Sequence, residues 1–129
     1  MLAIDTNVIV RYLTGDHPQQ SRKAKALIDS ERIFVCTTVL LETEWVLRSV
    51  YGFTPIEIAK ALRAFAGLQS VTLDDAAMIA KALDWTARGI DFADALHLAK
   101  AQGCDAFVSF DRRFVRAAKE LRDVAVRTP

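Results

Sequence analysis

Cysteine is scarce in this 129-residue chain, with two copies, Cys36 and Cys104. Each lies in or beside an apolar, strand-like run, and the two share no metal-ligand spacing. They read as reduced, buried thiols, which suits a reducing cytosol. Neither sign of charge dominates: 17 Lys and Arg balance 16 Asp and Glu, for a net charge of +1. A nucleic-acid partner is neither demanded nor excluded, and any basic patch must be local. No apolar run approaches the roughly 18 residues a membrane span needs. An acid already at position 5 leaves no room for the apolar segment of a signal peptide, so a cytoplasmic protein is expected. Linkers, low-complexity tracts and internal repeats are missing too. With no G-x-S-x-G and no G-x-x-x-x-G-K-[ST], serine-hydrolase and P-loop chemistry have no footing.

What is present is a globular composition, 52% hydrophobic and 26% charged. Its length fits one domain over residues 1–129 with a real core. Apolar Leu2 to Ile4 predicts a first strand, ending at Asp5. A short helix follows over 7–13, and Thr14-Gly15-Asp16 breaks it. Pro18 opens a second helix, with Ala24, Leu27 and Ile28 on one face. Residues 33–36 predict strand two, and Thr37 or Thr38 caps a helix to about Val50. Thr54-Pro55 starts a helix reaching Ala66. Residues 71–73 predict a short third strand, and Asp74 caps a helix to Arg88 that Gly89 ends. Asp91 starts a helix to Gln102, 106–109 predict strand four, 112–121 a polar-faced helix, and 124–126 an edge strand. Strands alternating with helices imply an α/β fold, a three-layer arrangement with a central parallel sheet of about five short strands flanked by helices. Sites in such sheets gather beyond the carboxyl ends of the strands.

Three acids interrupt apolar stretches: Asp5 in Leu-Ala-Ile-Asp-Thr-Asn-Val-Ile-Val, Glu42 in Val-Leu-Leu-Glu-Thr-Glu-Trp-Val-Leu, and Asp94 in Phe-Ala-Asp-Ala-Leu-His-Leu-Ala. Burying a carboxylate is costly unless something compensates its charge. No Lys or Arg lies within these stretches. A divalent cation held by oxygen ligands would compensate all three. Asp5 could instead cap the helix after it, though Thr6 or Asn7 would cap equally well. Glu42 shares a helix face with Trp45 and Val46, and the apolar phase of Trp45 places it in the core. Glu44 points elsewhere and pairs with Arg48 as an ordinary i, i+4 couple. Asp94 is expected to be buried; Asp91 reads as an N-cap, and His97 as a hydrogen-bonded interior residue rather than a ligand. Asp111, in Ser-Phe-Asp-Arg-Arg-Phe, is a cap for the last helix or a fourth site residue.

An all-carboxylate site suits Mg²⁺ or Mn²⁺ rather than zinc. Such a metal activates a bound water without a histidine base, and two ions about 4 Å apart clamp the entering and leaving oxygens of a phosphodiester displacement. The competing reading is a phosphatase-like hydrolase with Asp5 as nucleophile. That class calls for a second acid two residues on, where this chain has Asn7, and for a lysine beside a later strand.

Taken in order, Ile4-Asp5-Thr6-Asn7-Val8, Glu42 with Trp45, Asp91-Phe92-Ala93-Asp94-Ala95-Leu96 and Ser109-Phe110-Asp111-Arg112-Arg113-Phe114 resemble a PIN-domain ribonuclease, of the VapC-type toxin kind. The resemblance covers essentially the whole chain. It implies a PIN fold and Mg²⁺- or Mn²⁺-dependent endonucleolytic cleavage of RNA. Asp5, Glu42, Asp94 and Asp111 would be catalytic and metal-binding, with Thr6, Asn7 and Ser109 as supporting polar residues. The resemblance also implies a homodimer and a cognate VapB-type antitoxin, with operator DNA bound only through that antitoxin. A catalytically silent PIN-like interaction module is the non-enzymatic alternative. Arg11, Arg48, Arg112, Arg113 and Arg116 lie near the motifs and could contact RNA phosphates. Tyr51 could be core or a stacking surface.

Overall fold

Short parallel strands organise both halves of the chain. The computed structural model describes residues 1–121 and 123–129, and the chain divides into two compact units, Met1–Ala76 and Ala77–Pro129. The first unit contains β1 (Leu2–Ala3), α1 (Thr6–Thr14), α2 (Pro18–Ser30), β2 (Ile33–Val35), α3 (Thr37–Ser49), α4 (Pro55–Ala66) and β3 (Val71–Leu73). Its strands lie parallel in the order β1-β2-β3, with Leu2 opposite Ile33 and Ile33 opposite Val71. Parallel neighbours need crossovers. Here α1 and α2 make the first, and α3 and α4 the second. The β-branched and aromatic run Ile33-Phe34-Val35 favours an extended, buried strand. Ile33 and Val35 are fully buried, as are Ile9, Leu40, Leu47 and Leu62 from the helices. Each such aliphatic side chain contributes on the order of 1.5–3 kcal/mol by leaving water. Tyr12 and Phe65 meet edge to face at 5.6 Å.

The helix ends have local causes. Asp5 caps α1, and Gly15, at φ 65, closes it in the left-handed conformation that glycine adopts without strain. Pro18 sits in the first turn of α2 behind an N-cap His17, whose Nδ1 accepts from Gln20 N at 3.1 Å. Thr54 and Glu57 form a capping box on α4. The N-terminus of α3 departs from the sequence expectation. Its N-cap is Cys36, without a side-chain cap hydrogen bond, and Thr37 is already helical. Asp74, at the end of β3, accepts from Thr37 N at 3.0 Å and from the Thr37 hydroxyl. An acid expected to start the fifth helix thus satisfies a helix 37 residues upstream.

The second unit takes in α5 (Ala76–Ala87), which starts on the last residue of the first, then α6 (Phe92–Lys100), β4 (Phe107–Val108), α7 (Arg112–Ala118) and β5 (Val126–Arg127). Strands β4 and β5 pair in parallel, Phe107 opposite Val126. Phe107 packs edge to face on Phe114 of α7 at 5.7 Å. Phe92, Ile79, Leu83 and Leu98 of this unit are buried.

The α/β class and parallel pairing are as expected, but the sheet is not one ladder of five. Among the described residues it is a three-stranded sheet and a separate two-stranded one. Strands of two or three residues carry propensity but little pairing information, so their partners were not legible. Helices α6 and α7 stop two and three residues before the expected ends. The cysteines are also less buried than expected: Cys36 is half-buried and Cys104 exposed, both as free thiols. Among the described residues, no helix is long and apolar enough to cross a membrane.

Candidate active site

Asp5 follows β1 at its carboxyl end, where parallel sheets place their sites. Its carboxylate accepts from Thr6 N at 2.7 Å, so it caps α1 and still faces solvent. Glu42 projects from α3. Both acids line one cleft of about 260 Å³ within the first unit, together with Thr6, Asn7, Arg11 and Tyr51.

Neither acid is buried, contrary to the expectation drawn from their apolar neighbours. Ile4 and Thr6 on either side of Asp5 are buried, and Asp5 is exposed. On α3, Leu40, Thr43, Glu44 and Leu47 form the buried stripe, which turns Glu42 outward. Trp45 follows Glu42 to the surface at 54% exposure, so it is not a core residue. The buried acid of this helix is Glu44, at 3% exposure, held by Arg48 Nε at 2.8 Å. The expected pairing is present, but Glu44 is the structural carboxylate and Glu42 the accessible one.

Arg11 is the cation of the cleft. Its Nε donates to Gln20 Oε1 at 2.8 Å and its Nη1 to Asp16 Oδ1 at 3.0 Å, with Tyr51 Oη a longer 3.4 Å from Nη1. The Tyr51 hydroxyl donates to Asp16 Oδ2 at 2.5 Å. That bond first, and the Thr14 hydroxyl next, hold the Asp16 carboxyl below the ordinary carboxylate range, so it stays charged opposite Arg11. Tyr51 therefore positions the guanidinium, a role invisible at a separation of 40 residues.

In the second unit, Asp94 lies in the first turn of α6 and is half-buried. Burial pushes its carboxyl above the ordinary range, and the negative charges of Asp91 and Asp111 push it further, while His97 works against them. These acids are therefore neighbours within this unit. Asp91 caps α6 as expected, accepting from Ala93 N at 3.0 Å and Asp94 N at 3.3 Å. His97 is exposed, contrary to its expected interior place. Asp111 caps α7 through Phe114 N at 3.1 Å, and Ser109 Oγ accepts from Asp111 N at 3.0 Å. Capping leaves carboxylate lone pairs over, so the cap and site readings of Asp5 and Asp111 are compatible. Arg112 and Arg113 are exposed on the first turn of α7, without an ion-pair partner among the described residues.

No three His, Cys, Asp or Glu side chains among the described residues are gathered closely enough to hold a metal ion by themselves. The cleft still suits a hard cation. Its donors are carboxylate, amide and hydroxyl oxygens, and Mg²⁺ characteristically takes one or two carboxylates and keeps its waters for the rest. Thr6 Oγ1, buried at the same cleft, has no hydrogen-bond partner among the described residues. A buried hydroxyl without a partner is costly. Within the second unit, positive charge beside Asp94 would lower its raised carboxyl. The family model described as PIN domain matches residues 2–120. No curated protein and no solved structure matches.

Proposed function

The chain belongs to the PIN-domain family, whose members are generally metal-dependent nucleases, and from that premise we propose that it is an endoribonuclease acting as a VapC-type toxin. The observation that carries this reading is the single cleft where the exposed Asp5 and Glu42 meet, lined also by Thr6 and Asn7. Asp5, Glu42, Asp94 and Asp111 are the proposed catalytic acids and ligands of Mg²⁺ or Mn²⁺. When bound, the metal supplies an activated water and neutralises charge on the phosphate. Thr6 and Asn7 are supporting polar residues, and the Asn7 amide offers a further oxygen at the cleft. Ser109 acts through Asp111, whose backbone it anchors. Arg112 and Arg113 offer donors to RNA phosphates. In this reading one PIN domain spans the chain and works in the cytoplasm. It forms a homodimer, is silenced by a VapB-type antitoxin, and meets operator DNA only through that antitoxin.

Trp45, exposed one helical turn from Glu42, presents a ring on which an unpaired base can stack. Trp45→Ala is expected to weaken RNA binding by about 1–3 kcal/mol and to leave the melting temperature nearly unchanged. Filter binding and a thermal melt check this; a large drop in melting temperature would return Trp45 to the core.

The function itself is tested by induced expression of wild type against Asp5→Asn, with sequencing of cleaved RNA ends. Growth arrest and new RNA ends are expected with wild type alone. Arrest by both forms would remove the catalytic reading, and a trapped aspartyl-phosphate on Asp5 would replace it with the phosphatase one.

A further inference from the structure

A second cleft opens between α1 and α2, again of about 260 Å³. Asn7 and Arg11 line both clefts, so the second begins where the acidic one ends. Its wall is aliphatic, from Val8 and Leu27, and its other side carries Gln20 and Lys23. The volume lies slightly below the roughly 300 Å³ at which small-molecule pockets begin, a size suited to one planar base.

One cation, Arg11, lines both clefts, and a second, Lys23, lines the α1–α2 cleft alone. Three of the five N–H groups of Arg11 are directed to Gln20, Asp16 and Tyr51. Its Nη2 has no hydrogen-bond partner among the described residues, which leaves both donors of a fixed guanidinium available. Lys23 is exposed and has no ion-pair partner among the described residues. A strand with its reacting phosphate at Asp5 and Glu42 reaches the second cleft across the residues that line both, Asn7 and Arg11. Single-stranded RNA is recognised by bases splayed out of the stack while cations hold the phosphates.

We propose that the α1–α2 cleft seats one unpaired nucleotide of the RNA next to the cleaved bond. Its base lies on Val8 and Leu27, and Arg11 Nη2 and Lys23 Nζ bind the phosphate joining it to that bond. The assignment rests on the ribonuclease reading above.

The test uses the full chain and a fluorescein-labelled single-stranded RNA, with binding followed by anisotropy in an Asp5→Asn background. Lys23→Ala is expected to lower the slope of log Kd against log salt by about one, as for one lost phosphate contact. Leu27→Trp, which fills the cleft, is expected to raise Kd about tenfold, a loss of about 1.4 kcal/mol. In the cleaving wild-type background both variants raise KM more than they lower kcat. Thermal melts confirm folding, and the exposed Lys23 site keeps the test valid if Leu27→Trp does not fold. Wild-type affinity and salt slope in folded variants, with cleavage by the parent intact, would overturn the subsite and leave the ribonuclease reading standing. A parent that neither binds nor cleaves RNA overturns both. Loss of a protein partner with RNA binding intact would assign the cleft to that partner and overturn the proposal.

Discussion

Asp94→Asn is expected to reduce metal-dependent RNA cleavage by at least about a hundredfold while raising the melting temperature of the metal-free protein. Groups that merely orient a metal ligand cost about 10–100-fold when removed, and a ligand itself costs no less. The stability gain follows from charge. Folding raises the Asp94 carboxyl, first through burial and then through Asp91 and Asp111. Between the ordinary aspartate range and that raised value, the folded chain binds more protons than the unfolded one. Stability is then full below the unfolded value and declines as pH rises through the folded one. Asparagine carries no charge to lose, so the variant's stability curve is flatter across that window. Melts of both metal-free proteins from acid to neutral pH check this. An Asp94→Asn protein that melts well below wild type at neutral pH would make Asp94 structural. Asp5→Asn is expected to share the loss of cleavage at little cost in stability, because asparagine caps a helix about as well as aspartate.

Arg48→Ala is expected to destabilise the fold by about 2 kcal/mol. Its partner Glu44 is 3% exposed, and removing the guanidinium leaves a buried carboxylate without this ion pair. Breaking a fully buried pair costs roughly 3–5 kcal/mol. Arg48 is itself 44% exposed, so water reaches the vacated position and the cost falls below that range. Glu44→Gln keeps an acceptor and drops the charge, so its penalty is smaller. RNA cleavage should survive Glu44→Gln and fail in Glu42→Gln, the substitution two residues earlier on the outward face. Urea unfolding of Arg48→Ala and Glu44→Gln separates the two contributions. Equal midpoints for Arg48→Ala and wild type would show that something else compensates Glu44.

The contrast between Glu42 and Glu44 shows what the sequence could yield. Both sit in one apolar stretch, and apolar neighbours alone marked Glu42 as buried. Leu40, Thr43, Glu44 and Leu47 stand at the spacing of a core stripe, so strict helical phase would have placed Glu44 inside and Trp45 out. That signal was present but outweighed by hydrophobicity. Local signals did better: Pro18 opening α2, Thr54-Pro55 starting α4, Val71–Leu73 as a strand and Asp91 as a cap all follow from neighbouring residues. Contacts made across the fold left no mark. The Asp74 carboxylate at Thr37 and the Tyr51 hydroxyl beside Arg11 depend on tertiary packing, as does the choice of partner for β4 and β5. The acids proposed for catalysis were legible as chemistry, through their type and order, rather than as burial.

Cleavage of single-stranded RNA by the purified full chain, stripped of divalent ions and then given Mg²⁺ or Mn²⁺, separates a metal-dependent ribonuclease from a silent PIN module. Cleavage is expected with either ion, none in its absence, and none from Asp5→Asn under any condition. Metal-independent cleavage, or equal activity from Asp5→Asn, would mean that these acids do not act through a bound metal.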